Sequence, residues 1–145
     1  MHPALSKSLF NDEVGRWPSD LAGSRGWIIH QAEYPVIDCE FTRLGRTPLR
    51  LYCEFDNWDE QPPAISLKTS EGVDLTSLLP NPTSVFNANP HEKTRRPFIC
   101  MAGSREFHTH SSHVNETWDQ YRGKSGFGMG HLLDKIWNAW LKGTG

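Results

Sequence analysis

Leu49-Arg-Leu-Tyr-Cys-Glu-Phe55, Asp56-Asn-Trp-Asp-Glu-Gln-Pro-Pro63 and Ala64-Ile-Ser-Leu-Lys68 run consecutively, and their reading decides the fold. In the first run Leu49, Leu51, Cys53 and Phe55 alternate with Arg50, Tyr52 and Glu54. That period of two predicts a half-buried strand with Cys53 on its apolar face. The second run is a polar turn, and its double proline stiffens the approach to the third run, a further strand. Upstream, Gly26-Trp-Ile-Ile-His30 and Val36-Ile-Asp-Cys-Glu-Phe-Thr42 are short β-rich runs, with Leu44-Gly-Arg-Thr-Pro48 as the turn that follows. Cys39, between Asp38 and Glu40, repeats the pattern of Cys53. Together these runs predict an antiparallel β-meander of about four strands.

Helices flank the meander. Leu5, Leu9, Phe10, Val14, Trp17 and Leu21 recur at roughly helical spacing, with Ser6 or Ser8 as caps and a break near Trp17-Pro18. At the other end Leu132, Leu133, Ile136, Trp137, Trp140 and Leu141 form one broad apolar stripe, the mark of a core helix, and Gly143 suits its end. Residues 71–94 show no clear period, whereas Pro97-Phe-Ile-Cys-Met101 is short and apolar and predicts a buried strand or extended segment. The expectation is an α+β fold over 1–145 as a single domain, with an N-terminal helix, the meander and a C-terminal core helix.

A chain of 145 residues buries an adequate core without disulfides or a structural metal, so neither is required for folding. The formal charge of −2 gives no basic field for nucleic acid. The start Met1-His-Pro-Ala-Leu-Ser-Lys7 has no signal-like character, no apolar run reaches the roughly 20 residues of a membrane span, and the cysteines are odd in number. These features predict a cytoplasmic protein with free thiols.

The chemistry concentrates in Arg96-Pro-Phe-Ile-Cys-Met-Ala-Gly-Ser-Arg-Glu-Phe-His-Thr-His-Ser-Ser-His113. Cys100 there could act as a nucleophilic thiolate, or join Glu106, His108, His110 and His113 around zinc. If the stretch is extended, His108 and His110 point to one side, with His113 close behind. Trp118 and Tyr121, at i, i+3 spacing after the cap-like Asn115-Glu-Thr117, read as packing. Trp58 reads either as an exposed anchor or as a lid over the meander. Arg95-Arg96 is a solvated pair that could also meet an acidic partner.

The order of these elements resembles the ubiquitin-conjugating enzyme fold. Pro62-Pro63 stands where that family's double proline opens a strand, and Ile99-Cys100-Met101 is similar to its Ile-Cys-Leu active-site segment. The family's His-Pro-Asn turn stands here in reverse, as Asn89-Pro90-His91. The segment after the cysteine is longer than in the eukaryotic enzymes, and the chain ends after one further helix. The resemblance implies a minimal bacterial version, with a ubiquitin-like modifier protein, a ThiF-type activating enzyme and a JAB-type peptidase as partners. It implies a thioester on Cys100, passed to an amine without any cofactor. His108, His110 or Asp119 would be the base, and Asn89 or backbone N–H groups near Cys100 the oxyanion donors. A metal-binding family found in bacterial operons that encode such partners has a Cys, Glu, His, His pattern, which Cys100, Glu106, His108 and His113 match. The same resemblance therefore also implies a zinc-binding accessory protein, or a non-catalytic binding module of the same fold with its cysteine in the core.

Overall fold

A computed structural model describes residues 1–17, 21–81, 83, 85–87 and 89–143. Helix α1 spans Pro3–Gly15 and α2 Leu21–Arg25. Strands β1 (Trp27–Glu33), β2 (Val36–Phe41), β3 (Leu49–Glu54) and β4 (Ala64–Lys68) form one antiparallel sheet in the order β1-β2-β3-β4. Helix α3 (Arg105–Thr109), two 3₁₀ turns at Ser111–His113 and Trp118–Gln120, and helix α4 (Met129–Gly143) follow. The α+β architecture predicted from the sequence is the one observed, and Pro62-Pro63 immediately precedes β4.

Alternation along the strands explains the core. Cross-strand rows Ile37–Cys53–Ile65 and Cys39–Leu51–Leu67, together with the pair Phe41–Leu49, build one apolar face. All of these side chains are buried, including both cysteines. Burial pushes the Cys39 thiol up to about 12, with Asp38 adding to the rise, and burial pushes Cys53 well up too. The stripe of α4 covers this face: Leu132, Leu133, Ile136 and Trp140 are buried, and the Trp140 ring lies 5.8 Å from Phe41. On the opposite face Asp38 and Glu40 are also buried, so all of β2 is inaccessible. Their charges are answered: Arg50 holds Asp38 through two bonds of 2.9 and 2.7 Å, and His30 and the Ser70 hydroxyl reach Glu40.

Three expectations are corrected. Helix α1 starts at Pro3, not near Leu5. His2 is its cap, with Nδ1 accepting from the Ala4 N–H at 3.1 Å, and proline at the first position loses no bond the helix needed. Ser6 is a buried interior residue of that helix, and α1 ends at Gly15. Of the expected break at Trp17-Pro18, Pro18 lies outside the described residues. Second, Trp58 is a lid and not an exposed anchor: it is buried beside Phe55 and Trp118, and its indole N–H is taken by Glu13. Third, the histidine segment is not extended, for reasons that belong to the site.

Residues 71–94 contribute little regular structure where they are described. Lys68 bridges to Asp74 and Phe86 to Ile99, which lays the Phe98–Ile99 segment into the core. The Cys100 N–H donates to the Val85 carbonyl at 2.7 Å, so the chain is pinned at the point where it leaves the core.

Candidate functional site

Cys100 sits one residue beyond fully buried Ile99, and it alone of the three cysteines is partly exposed. The chain then turns sharply. Gly103 has φ +107°, and an added Cβ would stand 2.4 Å from the Leu132 Cδ2 of α4, so only glycine allows this turn so close to the helix. Ser104 ends the turn: its hydroxyl donates to the Ile99 carbonyl at 2.8 Å and accepts from the Phe107 N–H at 3.2 Å. That is an N-cap, and it starts α3, so the condition of an extended stretch, on which His108 and His110 would point to one side, is not met.

Helical winding sends the histidines apart. His108, in α3, turns toward Trp118 and Tyr121, with ring centroids 5.9 and 5.7 Å away. Its Nδ1 lies 2.7 Å from the Glu116 carbonyl and its Nε2 accepts from the Gly103 N–H at 3.0 Å. Both nitrogens are therefore spent on holding the turn after Cys100, and His108 is a brace for that turn. Burial lowers its pKa, in keeping with a neutral ring that accepts at Nε2. His110 ends α3 and stacks on Phe98 at 5.7 Å, with Nδ1 2.7 Å from the Ser112 hydroxyl. It does not point with His108.

His113 is the histidine that the fold brings to the cysteine. In the 3₁₀ turn after α3 its ring stacks on Phe107 at 3.8 Å, which fixes the imidazole plane. Its Nε2 lies 3.8 Å from Cys100 Sγ, while its Nδ1 lies 2.6 Å from Glu116 Oε2. The Tyr121 hydroxyl reaches the other oxygen of Glu116 at 3.5 Å. A proton on Nδ1, held by the carboxylate, leaves the Nε2 lone pair facing the thiol. Such an arrangement can serve as a nucleophile, a base and an orienting carboxylate. The N–H groups of Met101 and Ala102, next along the chain, donate to no partner among the described residues and are free to meet an oxyanion.

The other sequence candidates lie elsewhere. Asp119 is exposed and pairs with Arg122 at 3.3 Å, and Asn89 is exposed with its N–H donating to Asn87. Neither has a contact with Cys100 or His113. Glu106 turns to the sheet: its Oε1 accepts from the Ile65 N–H of β4 at 2.7 Å, and burial pushes its carboxyl up to about 7. Consequently Cys100, Glu106, His108 and His113 do not converge as zinc ligands. Only Cys100 and His113 face each other, and no group of three metal-ligating side chains comes together among the described residues.

Sequence reading missed Glu116 and named His108, His110 or Asp119, not His113, as the base. The signal was present as His113-Val-Asn-Glu116, whose i, i+3 spacing in a turn sets a carboxylate against an imidazole.

A family model takes in this part of the chain. A model of the Y4jH family, called Y4jH-like, matches residues 80–144. The uncharacterized protein y4jH of Sinorhizobium fredii (strain NBRC 101917 / NGR234) is 39% identical over 54 residues, which are 37% of this chain and 25% of that protein. The matching part thus spans about a quarter of that relative's length. The family match takes in Cys100, His113, Glu116 and α4, and leaves the sheet outside.

Proposed function

We propose that this protein is a ubiquitin-conjugating-like enzyme, one that accepts the C-terminus of a ubiquitin-like modifier as a thioester on Cys100 and passes it to an amine. The observation that carries the reading is the Cys100–His113–Glu116 line, built on a partly exposed cysteine at the edge of the core. The conjugating-enzyme part rests on the resemblance in element order, on Pro62-Pro63 before β4 and on Ile99-Cys100-Met101. The partners follow from it: an activating enzyme of the ThiF type delivers the modifier, and a JAB-type peptidase acts in the same pathway. The site of action is the cytoplasm; no helix among the described residues is long and apolar enough to cross a membrane.

The first step is transthiolation. His113 takes the Cys100 proton, the thiolate attacks the donor thioester, a new S–C bond forms, and the donor sulfur leaves with the proton. In the second step an amine attacks the Cys100 thioester. His113 takes a proton from the attacking nitrogen, the N–C bond forms, and Cys100 leaves as a thiol. The Met101 and Ala102 N–H groups, unpaired among the described residues, supply the oxyanion donors of both tetrahedral states in this reading. Glu116 keeps the imidazole in the tautomer that does this, and His108 holds the turn that presents the cysteine.

With its activating enzyme, modifier and ATP, the protein forms a reductant-sensitive adduct. Cys100→Ala abolishes it, Cys100→Ser traps a reductant-resistant ester, and Cys39→Ala and Cys53→Ala leave charging intact. A Cys100→Ala protein that still charges would sink the proposal.

A further inference from the structure

We propose a second activity at the same centre: the Cys100–His113–Glu116 line hydrolyses acyl conjugates, releasing the carboxylate from thioesters and from amides. The inference rests on the proposed thioester chemistry of Cys100 and goes beyond it. For a carrier such a base is a help and not a requirement, because the thioester it receives is already activated, and the charged form must survive until an amine arrives. Here an imidazole stands 3.8 Å from the sulfur, with a carboxylate 2.6 Å behind it. That arrangement activates a resting thiol against an unactivated carbonyl, and afterwards serves any nucleophile at the acyl carbon, water included.

Water has access. The His113 side chain is 23% exposed and Glu116 44%, and Cys100 is itself partly open. An acyl group on Sγ would therefore lie beside a base that water reaches.

The reaction balances with water alone. The Cys100 thiolate attacks the amide carbonyl and forms the S–C bond. The C–N bond breaks, and protonated His113 gives its proton to the leaving amine. Water then attacks the thioester while His113 takes one of its protons. The C–S bond breaks and the product leaves as a carboxylate, with the thiol restored.

The test uses a small probe, acetyl-glycyl-glycine p-nitrophenyl ester, and its coumarin amide counterpart. Wild-type protein should release a burst of p-nitrophenolate equal to the enzyme concentration, then turn over steadily, and should cleave the amide. Cys100→Ala should lose the burst. In His113→Ala the steady rate should fall by about 100-fold or more, with partial rescue by added imidazole, and an unchanged melting curve shows that the fold survives. A wild-type burst with no turnover, or His113→Ala turning over at the wild-type rate, overturns the hydrolase while leaving the carrier standing. If there is no burst and Cys100 resists alkylation, both readings fall.

Discussion

Glu106 gives the site a measurable dependence on pH. Its carboxylate joins α3 to the edge of the sheet through the Ile65 N–H, and its burial raises the folded-state value from 4.5 to about 7. The folded protein thus holds this proton more tightly than the unfolded chain does. The stabilisation is complete below about pH 4.5 and is lost as pH rises through about 7, where an ionised side chain must stay buried. At about 1.4 kcal/mol per pH unit, the loss is on the order of 3 kcal/mol. Glu106→Gln keeps an acceptor for Ile65 and carries no titrating proton. Urea melts of both proteins from pH 4.5 to 8 should show the variant gaining on the wild type by roughly that amount across the window. His108 acts in the opposite sense, since a lowered folded value contributes stability above about 6.5 that is lost as pH falls. Both proteins keep His108, so it cancels in the difference. A stability gap that is flat with pH, or that widens in favour of the wild type above pH 7, would refute the burial argument for Glu106.

Trp140 is fully buried against Phe41, and its indole N–H donates to the Thr47 carbonyl at 2.8 Å. Trp140→Ala should cost about 3 to 5 kcal/mol in denaturant melts, and a loss under about 1 kcal/mol would contradict its place in the core. In the native protein iodoacetamide should modify Cys100 alone, because Cys39 and Cys53 are buried with raised pKa values; peptide mass mapping checks this, and early labelling of Cys39 would count against the sheet register.

The parts legible in the sequence were those with a repeating spacing. Period two along residues 49–55 placed Cys53 correctly, and the stripe of residues 132–141 falls inside α4, which runs three residues further at its start and two at its end. Of the candidate site, Cys100 and the histidines after it were legible in the sequence, and their arrangement was not. Convergence of His108 and His110 depended on an extended stretch, yet Ser104 caps a helix there and turns the two rings apart. Glu116 looked like a cap for the turn at Trp118, where Thr117 is the capping position instead and makes no side-chain cap bond. A single carboxylate carries no period, so its role becomes visible only when the fold sets it beside His113. Asn89 and Asp119 were chosen by analogy with a family turn and by nearness in sequence, and neither criterion fixes a distance in space.

Gly103 and Leu132 share one volume. The isobutyl group of the core helix fills the space that a side chain on the cysteine turn would need, so the two positions cannot be altered independently. Any enlargement at 103 presses on Leu132 while also demanding a backbone angle that other residues resist, and shortening Leu132 relieves only the first of these. Enlargement at 103 therefore needs both a smaller side chain at 132 and a tolerated backbone angle, so the hydrophobic interior itself holds the turn beyond Cys100 to its shape.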